Sequence, residues 1–115
     1  TAEVTAASVA NARMVHTGDL EMAEVMDDVA WEASTGTGKF EGERLDDIRA
    51  LWQMYPHHWY FVTLKGSPIY TIEDMVGKKV SSGAPGSGTE FQFTNMITAL
   101  GYTHDDFVIS RLSFA

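Results

Sequence analysis

Eight residues, Gly83-Ala84-Pro85-Gly86-Ser87-Gly88-Thr89-Glu90, constrain this chain more than any other stretch. They follow the strand-like run Lys78-Lys79-Val80-Ser81-Ser82 and precede Phe93, Met96, Ile97 and Leu100, which are apolar residues at helical spacing. A strand, a glycine-rich turn and a helix start, in that order, aim several unpaired backbone N–H groups at one point. The helix dipole adds partial positive charge there, so the point attracts a carboxylate, phosphate or sulfate. The pattern commits this part of the chain to a strand–turn–helix unit and marks the turn as the place to look for function.

The details of the turn narrow the choice of anion. Gly83 and Gly88 have the spacing of a Walker A loop, but Thr89 stands where the phosphate-binding Lys belongs and Glu90 where the magnesium-binding hydroxyl belongs. The dinucleotide fingerprint fails as well, because Phe91 follows Gly86-Ser87-Gly88 where a third small residue is needed. A small carboxylate held by N–H groups and hydroxyls, without metal or other cofactor, fits what remains. Ser87-x-x-Glu90 also reads as a capping box. The two readings are compatible if the Glu90 carboxylate turns back to cap the helix; otherwise it repels an anion.

With 115 residues the chain has one domain's worth of length, which is small for a two-lobed receptor. Its 44% hydrophobic and 21% charged residues are those of a globular protein, and no apolar run approaches the roughly 18 residues of a membrane span. The first residues lack the regions of a signal peptide. They therefore suit either a cytosolic protein or a chain that starts after such a segment. A net charge of −8 argues against nucleic acid and anionic membranes as partners, though local dipoles can still hold a small anion. The absence of cysteine removes disulfides and thiolate chemistry and leaves the redox compartment open.

Helix and strand patterns alternate along the chain. Residues 4–6 look like a strand end; Ser8 can cap a helix carrying Val9, Ala12 and Val15, with Gly18 past its end. Residues 20–26 read as a strand, after which Asp27 and Asp28 cap a helix stopped before Gly36. Residues 48–52 and 59–63 have the apolar, β-rich composition of buried strands. Thr71-Ile72-Glu73-Asp74 is a capping box for one turn, with Ile72, Met75 and Val76 facing inward. A last strand alternates through Val108, Ser110, Leu112 and Phe114. The result is an α/β protein with parallel pairing. Ligands in such folds bind at the carboxyl ends of strands, which groups three small, polar turns: Ala7-Ser8, Met26-Asp27-Asp28 and the glycine turn.

Together these motifs resemble the solute receptors of TRAP transporters, TAXI subfamily. The resemblance runs through Ser8-Val9-Ala10-Asn11-Ala12-Arg13, Gly18-Asp19-Leu20, Asp28-Val29-Ala30 with Glu32-Ala33, Tyr55-Pro56, Ile72-Glu73-Asp74-Met75-Val76-Gly77-Lys78-Lys79-Val80-Ser81, Pro85-Gly86-Ser87-Gly88-Thr89-Glu90 and Leu112-Ser113-Phe114-Ala115. It implies a type II periplasmic-binding-protein-like fold, α/β with a parallel or mixed sheet and helices on both faces, whose two lobes are only partly represented. Residues 1–78 would belong to lobe I with the crossover to the hinge, and residues 79–115 would begin lobe II. It further implies an extracytoplasmic, periplasmic receptor that closes on a small organic acid or amino acid such as glutamate and delivers it to TRAP membrane permease subunits. Two departures from the family stand out: Ala6-Ala7 replaces a usual glycine pair, and Met26 stands where Gln is common.

On this reading the ligand-binding residues are Ser8, Asn11, Asp28, Tyr55, Pro85, Gly86, Ser87, Gly88 and Thr89. Ser8 and Asp28 also serve as ordinary helix caps, Asn11 as a surface residue, and Tyr55 as core. No nucleophile–base pair, paired carboxylates or G-x-S-x-G elbow marks an enzyme. Adjacent His57 and His58 would point to opposite faces of a strand, so they do not form a metal site. An anion-cradle enzyme for a small carboxylated or phosphorylated metabolite is one alternative, and an effector-sensing regulatory domain is another. If strands and helices of the full lobes are missing, open edges and exposed Trp52, Trp59, Phe61 and Phe114 would favour self-association.

Overall fold

Three helices and one pair of strands carry the regular structure of the computed structural model, which describes residues 4–112. The helices are α1 (Ser8–Thr17), α2 (Asp27–Thr35) and α3 (Gly88–Ala99), and the strands are β1 (Lys79–Ser81) and β2 (Val108–Ser110). Short 3₁₀ turns cover Gly38–Phe40, Glu73–Met75 and His104–Asp106. Helices α1 and α2 stop where Gly18 and Gly36 enter the left-handed region at φ 82° and 70°, a conformation nearly free for glycine. Their N–H groups donate to the carbonyls of Val15 and Glu32, as the positions of the two glycines predict. At residues 70–75 the Asp74 carboxylate accepts from the N–H groups of Tyr70 and Thr71, and the Asp74 N–H points to the Thr71 hydroxyl. Met75 is buried, while Val76, read as facing inward, is exposed.

β1 and β2 pair in parallel, with Lys79 opposite Val108, Val80 opposite Ile109 and Ser81 opposite Ser110. Since α3 lies between them in sequence, β1–α3–β2 is a βαβ unit, and both strands end on the same side of the molecule. The result is a small, open α/β fold compatible with part of a periplasmic-binding-protein-like architecture. Two apolar clusters support it. One joins Val9, Ala12, Val29, Ala33, Phe40 and Leu45 to Phe91. The other joins Met75, Phe93, Ile97 and Phe107, with Trp59, Ile69 and Ile72 packed against it. Phe91 and Phe93 are two residues apart on α3 and point to opposite sides, so this helix is the wall shared by both clusters.

Four expected strands do not form. Residues 4–6, 20–26, 48–52 and 59–63 are non-regular. An extended segment becomes a strand only when a neighbour satisfies its N–H and C=O groups, and these have no ladder partner among the described residues. The apolar side chains of 51–64 are correspondingly exposed, including Leu51, Trp52, Met54, Tyr60, Val62 and Leu64. Phe61 remains in touch with the second cluster through a tilted contact to Trp59 and an edge contact to Phe93. The final strand stops at Ser110, and Phe114 lies outside the described residues.

Candidate functional site

Three helix N-termini meet at the glycine turn. The Val9 N–H at the start of α1 donates to the Gly86 carbonyl at 3.3 Å. The Ser8 hydroxyl accepts the Met26 N–H at 3.4 Å, tying the start of α1 to that of α2. Met26 then lays its thioether over the start of α3, so closely that a Cβ on Gly88 would lie 1.6 Å from its sulfur. Ser8, Ser87 and Gly88 are buried by this convergence. The three turns grouped from the sequence are thus in contact, and the positive ends of three peptide dipoles share one locality.

Within the turn, Gly83 and Gly86 adopt φ 95° and 73°. At Gly83 a side chain is excluded twice, by the backbone angle and by space, since a Cβ there would stand 2.9 Å from Thr89 Cβ. The Ser87 hydroxyl accepts the Glu90 N–H at 3.1 Å, which is the expected cap. The reciprocal half of the box is shifted by one residue. Glu90 Oε2 accepts from the Gly86 N–H at 2.8 Å, because the Ser87 N–H already donates to the Ala84 carbonyl. Glu90 therefore turns back, as compatibility with an anion demands. Its other oxygen accepts from Arg111 Nε at 2.6 Å, and the carboxylate is almost wholly buried. The N–H groups of Gly88 and Thr89 donate to no acceptor among the described residues. The buried Ser82 hydroxyl, just ahead of the turn, has no partner among them either.

The remaining sequence-predicted residues are placed as follows. Ser8 does not cap α1. Ala7 holds the cap position without a side-chain bond, and Ser8, already helical, spends its hydroxyl on Met26. Likewise Met26, not Asp27 or Asp28, precedes α2. Asp27 and Asp28 sit inside the first turn, where Asp28 Oδ1 accepts the Val29 N–H at 2.8 Å. Partial burial raises the Asp28 carboxyl above its ordinary range, against the opposing effect of that bond, and Asp27 and Glu32 push it the same way. Asn11 donates to the Glu24 carbonyl at 2.8 Å and accepts from the Thr5 hydroxyl, so it fastens residues 5 and 24 to α1. Tyr55 is exposed, with its hydroxyl 3.4 Å from Glu24 Oε1. Pro85 is exposed at the tip of the turn. Ser8, Gly86, Ser87 and Gly88 are gathered at one point; Asn11 and Tyr55 meet instead at Glu24.

Two participants were missed from the sequence. Met26 stands in the sequence as part of the Met26-Asp27-Asp28 turn and as a departure from a common Gln, but its packing on Gly88 depends on distant chain segments. Arg111 had a usable signal: parallel pairing puts the residue after β2 at the same end of the sheet as the turn after β1. A separate cavity of about 270 Å³ lies between α2 and α3, lined by Glu32, Gly38, Lys39, Phe91, Thr94 and Asn95, none of them in the glycine turn.

The sequence model of the NMT1-like family, a periplasmic solute-binding-like family, matches residues 1–115. No solved structure matches the chain.

Proposed function

The chain belongs to the NMT1-like family, and from that premise we propose that it binds a small carboxylate or amino acid, such as glutamate, at the glycine turn, as part of a TAXI-type receptor serving a TRAP permease. The family carries an extracytoplasmic solute-binding role, with a small ligand and a membrane transporter as partners. Among the described residues no helix is long and apolar enough to cross a membrane. The observation that carries the finer reading is the meeting of three helix N-termini at a turn whose Gly88 and Thr89 N–H groups lack acceptors. Oriented N–H groups at a helix start bind anions without metal or net positive charge.

The assignment is binding without turnover. The ligand carboxylate takes the N–H groups of Gly88 and Thr89, with the hydroxyls of Ser87 and Thr89 around it. The Met26 thioether, a flexible side chain, moves off Gly88 to admit it. Ser8 and Asp28 complete the site from the starts of α1 and α2, with Asp28 facing a ligand ammonium, while Asn11 and Tyr55 close it from Glu24, where their side chains meet. Residues 1–78 form part of lobe I and the crossover, and residues 79–115 open lobe II.

Calorimetric titration with L-glutamate and other small carboxylates tests this. Saturable binding with no chemical change in the ligand is expected. Replacing Thr89 by Val should weaken binding by about 0.5–1.5 kcal/mol, the worth of one hydroxyl hydrogen bond. Gly88→Val should abolish binding while the protein stays folded. Unchanged affinity in both variants would move the site elsewhere.

A further inference from the structure

The structure assigns Arg111 as a positioning residue of the anion site, acting through Glu90; this rests on the reading of the glycine turn as that site. Glu90 presents a contradiction, because a carboxylate stands in the first turn of the helix that is to receive an anion. Its geometry resolves it. One oxygen accepts the Gly86 N–H at 2.8 Å and so holds the turn in its left-handed conformation; the other accepts Arg111 Nε at 2.6 Å. The side chain is 5% exposed, so water does little to screen its charge, whereas Arg111 is 48% exposed. A buried carboxylate without a partner is costly and projects its field over several ångströms of low-dielectric protein. With the guanidinium attached the pair is neutral, and the N-terminus of α3 keeps its attraction for a second anion.

The pairing follows from topology. The chain leaves β1 into the glycine turn and leaves β2 into Arg111, and parallel pairing sets both exits at one end of the sheet. Arg111 therefore joins the residue after β2 to the turn after β1, from outside the local motif. Its role is distinct from that of a ligand-contacting side chain: it decides whether Glu90 holds the turn as a neutral pair or repels the ligand as a lone charge.

The test compares Arg111→Met, Arg111→Lys and Arg111→Met/Glu90→Gln in the protein, with L-glutamate as the calorimetric probe. Arg111→Met should bind at least about tenfold more weakly, the size of an unscreened like charge a few ångströms away. Lys at 111 should restore much of the loss, and so should the double variant, in which glutamine keeps an acceptor for Gly86 without the charge. Wild-type affinity in Arg111→Met, or a double variant as weak as Arg111→Met, would overturn the assignment. If the wild-type protein binds no glutamate, the carboxylate reading fails for that probe, and Gly86 amide hydrogen exchange tests Arg111 separately. Exchange should accelerate in Arg111→Met and recover with Lys; unchanged exchange would overturn it. If Arg111→Met does not fold, a folded double variant supports the assignment and an unfolded one overturns it.

Discussion

Ala7 adopts φ 81° and ψ −163°, a region that is essentially reserved for glycine, and among the described residues no other non-glycine has positive φ. It stands in the pair of alanines that replaces the glycines usual in the family this sequence resembles. Ala7→Gly should therefore stabilise the protein. The strain of a side chain in this region is about 1–3 kcal/mol, and glycine returns about 0.5–1 kcal/mol of it as extra unfolded-state entropy. The net gain is about 0–2.5 kcal/mol, centred near 1 kcal/mol, or a rise in melting temperature of up to roughly 10 °C for a domain of this size. Ala10→Gly is the matched control. It makes the same chemical change three residues later, inside α1, and should cost about 1 kcal/mol. Thermal unfolding followed by circular dichroism reads both. Two variants that fall in stability by similar amounts would refute the strain argument, since position in φ/ψ space is all that separates them.

Four other outcomes follow from the same geometry. Gly83→Ala should lose more stability than Gly101→Ala in chemical denaturation: both have positive φ, but only the first meets a neighbour, at 2.9 Å, and overpacking adds about 1–3 kcal/mol. Phe40→Ala and Phe93→Ala, which empty fully buried sites in different clusters, should each cost about 3–5 kcal/mol by urea unfolding. Asp28, whose folded carboxyl titrates above its ordinary value of 3.8, makes folding less favourable as pH rises from that value through the folded pKa, so Asp28→Asn should flatten this part of the stability–pH curve. Sedimentation should show concentration-dependent association through the exposed apolar side chains of 51–64 and the open sheet, weakened by Trp52→Lys and Val62→Lys together.

Signals written in consecutive residues were legible. The Ser87 cap, the start of α3, the glycine stops after α1 and α2, and the Thr71–Asp74 box all depend on contacts within a few positions, and each has its expected partners. The strands expected at 20–26, 48–52 and 59–63 do not form because β composition describes a side chain's fitness for a sheet, whereas a strand requires a partner from elsewhere. The site divides the same way. Its glycine turn was plain, and so was the need for Glu90 to fold back. The shift of its bond from Ser87 to Gly86 was not, because Ala84 competes for the Ser87 N–H. Met26 on Gly88 leaves no trace in the sequence, and Arg111 on Glu90 can be anticipated only from the parallel pairing of the strands, not from neighbouring residues.

The shared wall formed by α3 bears on how the protein comes apart. A chain with two apolar clusters would ordinarily be free to melt in two steps, the weaker half opening while the other persists. Here Phe91 belongs to one cluster and Phe93 and Ile97 to the other, on a single twelve-residue helix. Unwinding α3 to release either side removes a wall from both. The two halves are thereby joined into one cooperative unit, and a ligand seated at the first turn of α3 would raise the unfolding free energy of the whole unit.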